Sequence, residues 1–190
     1  MSIIDALKLR RSVYKLGENV NVSDEEIIEF VTKTTELVPD AFNMRSQRVV
    51  LALGKKHKEL WDEIYNAFGG KVSREKIDGF KSAYGTVLYL YDDDTVKALQ
   101  EKFPAYAQNF PLWANHANGM LQISIWTGLR EMNLGANIQH YNPVIDDAVR
   151  KLFDLPENYK LVAQMIFGNI IEEPAAKDTE DISLRVKVAR

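Results

Sequence analysis

The sequence contains no cysteine, and this absence removes several classes of protein at once. Without thiols the chain cannot form disulfides, hold an iron–sulfur cluster or a cysteine-ligated zinc ion, or use a thiolate as a nucleophile. The three histidines, His57, His116 and His140, lack the spacing of metal ligands. We therefore expect no dedicated transition-metal site.

Several sequence signatures of catalysis and nucleotide binding are also missing. Neither a GxSxG pattern nor a Ser-His-Asp set is present, so nothing favours hydrolysis. Neither GxGxxG nor GxxxxGK[ST] occurs, which excludes a dinucleotide-binding Rossmann site and a P-loop. Any nicotinamide cofactor would therefore bind transiently, without a fold module of its own.

The charge and the apolar segments narrow the class further. Lys and Arg number 24 against 27 Asp and Glu, a net charge of −3, which argues against a general nucleic-acid binder. The most apolar stretch, 112–129, contains Asn115, His116, Asn118 and Gln122, so it predicts a buried helix rather than a membrane span. Because residues 1–5 do not resemble a signal peptide, we expect a cytoplasmic location.

The composition that remains is that of a globular protein. Apolar residues make up 46% of the 190 residues and charged residues 27%, which predicts a single domain covering 1–190. The pattern indicates an α+β fold in which helices surround a small mixed sheet. Helices are predicted over 2–10, 24–38, 57–68, 95–103, 113–132 and 143–153. Strands are predicted over 49–53, 86–91, 161–168 and 182–188.

Local signals support several of these boundaries. Ser23 followed by Glu26 predicts a capping box at a helix start. The acidic run Asp92-Asp93-Asp94 could hold a cation, but it fits a strand-to-helix cap better. Val49–Leu53 is continuously apolar and is expected to be buried on both faces of the sheet. Residues 133–137 are interpreted as a helix exit and loop, and Gly168 as the end of the third strand.

Three segments carry groups suited to a phosphorylated, planar ligand. Arg10-Arg11-Ser12 provides two cations and a hydroxyl near the end of the first helix, although the same triplet also suits a solvated helix terminus. Arg185 or Lys187 in the tail could complete a phosphate site or simply lie on a solvated strand face. Phe42 to Arg48 leads into a strand, and Asn43 could bind a heteroaromatic edge or be an ordinary turn residue.

A further loop, 135–143, is rich in hydrogen-bonding and aromatic groups. Its His140 could act as a general acid, or it could be an ordinary surface histidine. The longest predicted helix, 113–132, is apolar nearly all round, so a second subunit could cover part of it.

These segments together resemble the FMN-dependent nitroreductase family, in particular its short branch. The matching stretches span nearly the whole chain, and they are Arg10-Arg11-Ser12-Val13-Tyr14, 39–51, Leu134 to Pro143, and Arg185-Val186-Lys187-Val188. The resemblance implies a nitroreductase-like fold with a C-terminal strand. It also implies a homodimer with FMN bound, tightly but non-covalently, at the subunit interface, and with the long helix 113–129 at the core of the dimer.

The resemblance also implies roles for individual residues. Arg10 and Ser12 would hold the FMN phosphate with help from Arg185 or Lys187, while Arg11 and Tyr14 would lie nearer the ribityl chain and pyrimidine edge. Asn43, with Arg45 and Ser46 beside it, would contact the ring from the opposite subunit, and Gln139, His140 and Tyr141 would line its reactive side. Arg45 is a departure, because many relatives have Gln there, and it adds positive charge near the flavin or the substrate.

The activity implied by this family is carried by the cofactor, so no catalytic side chain is predicted. NAD(P)H would reduce FMN, and a nitroaromatic or quinone acceptor would then reoxidise it in a ping-pong mechanism. An enzyme of this fold could also catalyse dehalogenation or flavin-ring cleavage, since the fold hosts several chemistries. Two alternatives of other kinds remain open at this stage. One is a flavin-binding regulatory or sensor protein with little turnover, and the other is a flavin-free α+β binding module.

Overall fold

The computed structural model describes residues 2–178 and 180–190, which form seven α-helices and five strands. The helices are α1 (Ile3–Leu9), α2 (Asp24–Leu37), α3 (Gly54–Ala67), α4 (Arg74–Lys81), α5 (Asp93–Lys102), α6 (Phe110–Glu131) and α7 (Asp146–Leu152). The strands are β1 (Leu16–Gly17), β2 (Gln47–Leu53), β3 (Gly85–Asp92), β4 (Leu134–Gln139) and β5 (Tyr159–Ile170). No helix within the described residues is long and apolar enough to cross a membrane.

The five strands form one sheet in the order β1-β5-β3-β2, and β4 also pairs with β5. Every pair of these strands is antiparallel; for example, Val50 lies opposite Leu88, and Leu88 lies opposite Gln164. The predicted α+β class is confirmed, but the mixed sheet is not. Parallel pairing is limited, in the described chain, to an isolated bridge between Ser12 and Ala136.

Helices cover both faces of the sheet and bury a separate apolar cluster on each. On one face α3, α4 and α7 enclose a cluster that includes Leu60, Trp61 and Phe80. On the other face α2 and α6 pack over Tyr89 and Phe167, which are fully buried. The inner strands β3 and β5 therefore supply residues to both layers, which fixes their register because a one-residue slip would move each side chain into the opposite layer, where it does not fit.

The caps predicted from the sequence are present. Ser23 accepts a hydrogen bond from the backbone N–H of Glu26, whose carboxylate accepts from the Ser23 N–H at 2.8 Å. Asp92 caps α5 by accepting from the N–H groups of Asp94 and Thr95, and its other oxygen pairs with Arg48 at 2.6 Å. The acidic run is therefore a helix cap, as predicted.

Two interpretations of the central region were wrong. The segment read as a loop after α6 is strand β4, because Asn133 makes the turn in a single left-handed residue (φ 62°) and pairing with β5 starts at Leu134. Gly168 does not end β5, which continues to Ile170. Its lack of a side chain allows close approach instead, since a Cβ at Gly168 would lie 2.2 Å from the Gly17 carbonyl oxygen.

Other boundaries also differ from the prediction. The strand 49–53 is not buried on both faces, because β2 lies at the sheet edge and only its Gln47 and Ala52 are fully buried. Helix α4 is an additional element, and α7 begins at Asp146 rather than at Pro143.

The C-terminal strand predicted over 182–188 is absent. Ile182–Leu184 form a 3-10 turn, and the residues after it have no regular structure. The alternation of Ile182, Leu184, Val186 and Val188 is real, but all four are exposed by between 54% and 87%. A strand requires a neighbouring strand to pair with, and the tail lies beside none within the described part of its own chain.

Candidate functional site

Arg10 occupies the C-terminal end of α1 and is held against the longest helix. Its backbone N–H donates to Ala6, and its guanidinium carbon lies 4.3 Å from the ring centre of Trp126 on α6. Burial, together with the neighbouring charge of Arg11, lowers the pKa of Arg10 from its ordinary value. Arg10 as a whole is half-buried, but its Nε is buried and has no hydrogen-bond acceptor among the described residues, which is uncommon for a buried polar atom.

The residues after Arg10 run beside β4. Ser12 forms its bridge with Ala136, and the amide of the buried Asn137 donates to the Val13 carbonyl at 2.8 Å. Arg11 donates to the carbonyl of Ala175 at 2.9 Å, and Tyr14 is 61% exposed. The fold thus fixes the backbone of 10–13 and leaves Ser12 and Arg11 at the margin of the sheet.

A second group of predicted site residues lies on the loop before β2. Phe42, Asn43 and Arg45 have φ values of 55°, 52° and 54°, in the left-handed region. Only glycine enters this region without strain, and Asn tolerates it better than Phe or Arg. Strained residues of this kind concentrate at binding and catalytic sites, where the surrounding structure holds them.

The surrounding contacts that hold this loop can be identified. Asp40 accepts from the Ser46 hydroxyl at 2.6 Å and from the Ser46 N–H at 2.8 Å. Met44 is buried, and the Phe42 ring packs among Phe103, Tyr106, Phe110 and Trp113 at centroid distances of 4.9 to 5.8 Å. Asn43 and Arg45 are left exposed and adjacent, with Arg45 Nε donating to Asn43 Oδ1 at 3.3 Å.

Beside this loop lies a polar recess with a volume of about 500 Å³, which falls in the range of small-molecule sites. Its polar lining includes Glu36, Asp40, Asn43, Arg45, Gln47 and Arg48. Ser46, by contrast, is fully buried, and its hydroxyl is already used by Asp40. Ser46 therefore shapes the loop and does not present its hydroxyl to a ligand.

The third predicted group is divided by the structure. Gln139 is half-buried and donates to Asn137 Oδ1 at 2.9 Å, and His140 is exposed. The Tyr141 ring turns away into the α3 layer, where it packs edge-on against Trp61 and Phe68. Its backbone N–H donates to Gln164 at 2.9 Å, so Tyr141 fixes the end of β4.

The predicted tail cations do not meet the Arg10 group. Arg185 pairs with Glu180, and both Arg185 and Lys187 are exposed. Sequence reasoning missed Trp126 as a neighbour of Arg10, because the two are far apart in the chain and their contact depends on how α1 packs on α6. Within the described residues, no group of His, Cys, Asp and Glu is arranged to hold a metal ion.

The fold and the site together define a class of protein. An antiparallel sheet between helical layers, with a basic segment after the first helix, matches a nitroreductase-type oxidoreductase fold. The Nitroreductase family model matches residues 7–169. The chain belongs to the nitroreductase family.

Known proteins of similar sequence or structure agree with this assignment. The yeast (Saccharomyces cerevisiae) protein HBN1 is 33% identical over 181 residues, covering 92% of this chain and 91% of HBN1. The structure of nitroreductase CinD from Lactococcus lactis with nicotinic acid is 41% identical, covers 100% of both chains and has a TM-score of 0.93. CinD has also been solved with 4-nitrophenol.

A more distant structure shares the fold. A nitroreductase from Exiguobacterium sibiricum in complex with FMN is 13% identical, covers 100% of this chain and 98% of its own, and has a TM-score of 0.77.

Proposed function

We propose that this protein is an FMN-dependent oxidoreductase that uses NAD(P)H to reduce nitroaromatic or quinone acceptors by a ping-pong mechanism. The observation that carries the proposal is the partly buried guanidinium of Arg10, whose Nε is buried and has no acceptor among the described residues of a nitroreductase-family chain. When bound, FMN would supply the redox chemistry by accepting a hydride from NAD(P)H and passing it to the acceptor. The net reaction with a nitro group is NAD(P)H + H⁺ + ArNO₂ → NAD(P)⁺ + ArNO + H₂O.

The residues present fit the phosphate of FMN. A phosphate provides acceptor oxygens for Arg10, whose Nε lacks one among the described residues, and the fork of N–H donors of an arginine is well suited to bind them. Ser12, held beside Ala136, would add a hydroxyl. Arg11 and Tyr14 lie next in the chain and would lie nearer the ribityl chain and the pyrimidine edge.

The remaining site residues would surround the flavin ring. Asn43 and Arg45 are exposed and would contact it from the opposite subunit, while Ser46 would keep their loop in shape through Asp40. Gln139 and His140 would line the reactive side of the ring, and Tyr141 would support them from within the α3 layer. These residues would orient the ring and exclude water from one face, so no nucleophile or acid–base pair is required.

A homodimer is part of the proposal, and exposed apolar residues support it. Ile3, Ile4 and Leu7 on α1 and Leu112, Met120 and Ile123 on α6 are all between 36% and 69% exposed. Gly119 adds space on α6, since no atom lies within 4 Å of a Cβ built there. Apolar side chains exposed together in this way are typical of a surface covered by another subunit.

The tail supports the same assembly. Among the described strands β2 pairs only with β3, and an apolar groove of about 590 Å³, lined in part by Val31, Val49 and Leu51, runs beside it. The alternating apolar tail suits such an edge, because β pairing would bury every second side chain.

The extent and location of this unit complete the proposal. One nitroreductase-like domain would cover residues 1–190, and a cytoplasmic location would give it access to NAD(P)H.

An absorbance spectrum of the purified protein tests the proposal most directly. We expect flavin bands that are bleached by NAD(P)H without oxygen and restored by 4-nitrophenol or a quinone. Flavin bands without acceptor-stimulated NAD(P)H oxidation would instead favour a regulatory or sensor role. A colourless protein that does not bind added FMN would refute the proposed function.

A further inference from the structure

We infer that Arg45 makes the acceptor site selective for aromatic acceptors that carry a carboxylate. This inference rests on the proposed function, and it names a class of substrate for the same site. It starts from the charges that line the recess beside the loop 40–46.

Arg45 is the one cation of this lining without an anionic partner among the described residues. Glu36 pairs with Lys33 at 2.9 Å, and Arg48 pairs with Asp92 at 2.6 Å. Asp40 accepts two hydrogen bonds from Ser46. The Glu36–Lys33 and Arg48–Asp92 pairs each cancel in charge. The Asp40 carboxylate is held by Ser46 through Oδ2, and its Oδ1 is buried. Arg45 is therefore the cation of this lining that remains available to an entering anion.

The backbone holds this guanidinium outward. Arg45 has a φ of 54°, and its neighbours on both sides, Met44 and Ser46, are buried. An arginine in the left-handed region is strained, and the same strain would be avoided by glycine. The loop therefore holds a costly residue in a fixed, exposed position, which is what recognition of a charged ligand requires.

The hydrogen bonding of Arg45 leaves its two terminal amino groups available to a ligand. Its Nε donates to Asn43 Oδ1 at 3.3 Å, which orients the guanidinium plane. Within the described chain its two terminal amino groups have no acceptor. A carboxylate can accept two parallel hydrogen bonds from one arginine. A planar anion is therefore better suited to Arg45 than a neutral group of the same size.

Aromatic rings on and beside the loop could contact the aromatic part of such a ligand. Phe42 and Tyr106 are each 49% exposed, and their ring centres lie 5.8 Å apart. Exposed aromatic side chains of this kind favour stacking or edge contacts with another ring. A nitrobenzoate combines both features, since its ring would contact these side chains while its carboxylate contacts Arg45.

Binding of two matched probes to the oxidised holoenzyme tests the inference. The probes are 4-nitrobenzoate and its neutral counterpart 4-nitrobenzamide, and their dissociation constants are measured from the change in flavin absorbance. We expect R45Q to weaken 4-nitrobenzoate about tenfold, the lower end for a hydrogen bond to a charged group, and to leave 4-nitrobenzamide within about twofold. R45K should retain part of the preference at low salt and lose it at high salt.

Two controls separate this role from a general effect of charge or folding. Lys71→Gln removes one exposed positive charge from the loop after α3, away from the recess, and should change neither constant. The flavin-to-protein absorbance ratio of R45Q should equal that of the unmodified enzyme. In steady-state kinetics, R45Q should raise the KM for 4-nitrobenzoate about tenfold more than the KM for 4-nitrobenzamide, so the ratio of the two constants reports the role of Arg45 whatever its effect on kcat.

Three outcomes would overturn the inference. They are equal affinity of the unmodified enzyme for the two probes, equal losses for both probes in R45Q, and loss of flavin from R45Q. An enzyme that reduces 4-nitrobenzamide with NAD(P)H in any of these cases would leave the proposed function standing. A protein that binds no FMN would instead refute the proposed function itself.

Discussion

The stacking of Arg10 on Trp126 predicts how a distant side chain contributes to cofactor affinity. The 4.3 Å separation lies within the range of a cation–π contact, which is worth from about 0.5 kcal/mol at exposed sites to about 2 kcal/mol when desolvated. Arg10 is partly buried, so an intermediate value of about 1 kcal/mol applies. Trp126→Leu should therefore weaken FMN binding about fivefold, because the guanidinium must be ordered again when the phosphate binds.

Comparing FMN with riboflavin distinguishes this positioning role from a general loss of structure. Riboflavin lacks the phosphate, so its dissociation constant should change by less than about twofold in Trp126→Leu if Trp126 acts through Arg10. Fluorescence titration of the flavin-free protein measures both constants. Trp126→Phe should retain most of the affinity, since a phenyl ring also attracts a cation.

Direct removal of the cation sets the scale for this effect. Arg10→Ala should cost about 1.5–3 kcal/mol of FMN affinity, the range for a hydrogen bond to a charged group. Equal losses of FMN and riboflavin in Trp126→Leu, or unchanged FMN affinity in Arg10→Ala, would refute the phosphate assignment.

Three further predictions concern the core, the interface and the sheet. Burial lowers the pKa of His57 to about 4 from 6.5, so the unfolded chain binds more protons than the folded chain between these pH values. The free energy of unfolding should therefore fall from pH 6.5 to pH 4, by about 3 kcal/mol more than it does in His57→Gln. Urea unfolding at the two pH values measures this difference. Ile123→Asp should give monomers in light scattering and lower flavin content, and a stable dimer would contradict the interface assigned to α6. Gly168→Ala should destabilise the protein by about 3 kcal/mol in urea unfolding, because the new Cβ clashes with the Gly17 carbonyl. Gly79→Ala, which has open space in α4, should stabilise the protein by about 0.5–1 kcal/mol in the same assay. Unchanged stability of Gly168→Ala would refute the close approach.

The sequence was sufficient to predict those elements that depend on interactions between residues close together in the chain. The capping box of Ser23 and Glu26 and the cap at Asp92 depend on side chains within three residues, so the sequence contains the whole interaction. The apolar runs of β3 and β5 were recognisable because both faces of these strands are buried. The nitroreductase family was likewise recognisable, because its motifs occur in order along nearly the whole chain.

Elements defined by distant contacts could not be predicted in this way. Residues 134–139 have the composition of a loop, and they form β4 because β5 offers hydrogen bonds and Asn137 donates to Val13. The tail showed the opposite error, because its strand-like alternation has no partner edge in the same chain. Pattern alone reports which faces are apolar and says nothing of what covers them.

The candidate site divides along the same line. Residue types suited to a phosphorylated ring were visible in the sequence, but the directions of their side chains were not. The Tyr141 ring packs against Trp61, and the Ser46 hydroxyl donates to Asp40. Both contacts are formed by the folded chain and are not visible in the residue types alone. Trp126 was missed for the converse reason, since nothing near it in sequence indicates that it touches Arg10.

Buried and exposed residues alternate in the loop before β2, and this alternation affects which substitutions the protein can accept. Met44 and Ser46 hold the loop from inside, and Asn43 and Arg45 project from it without contributing to the core. Evolution, or an engineer, can therefore replace the two outer residues one at a time without first compensating the scaffold. A change in what the loop contacts therefore requires substitutions at no more than two of four consecutive positions.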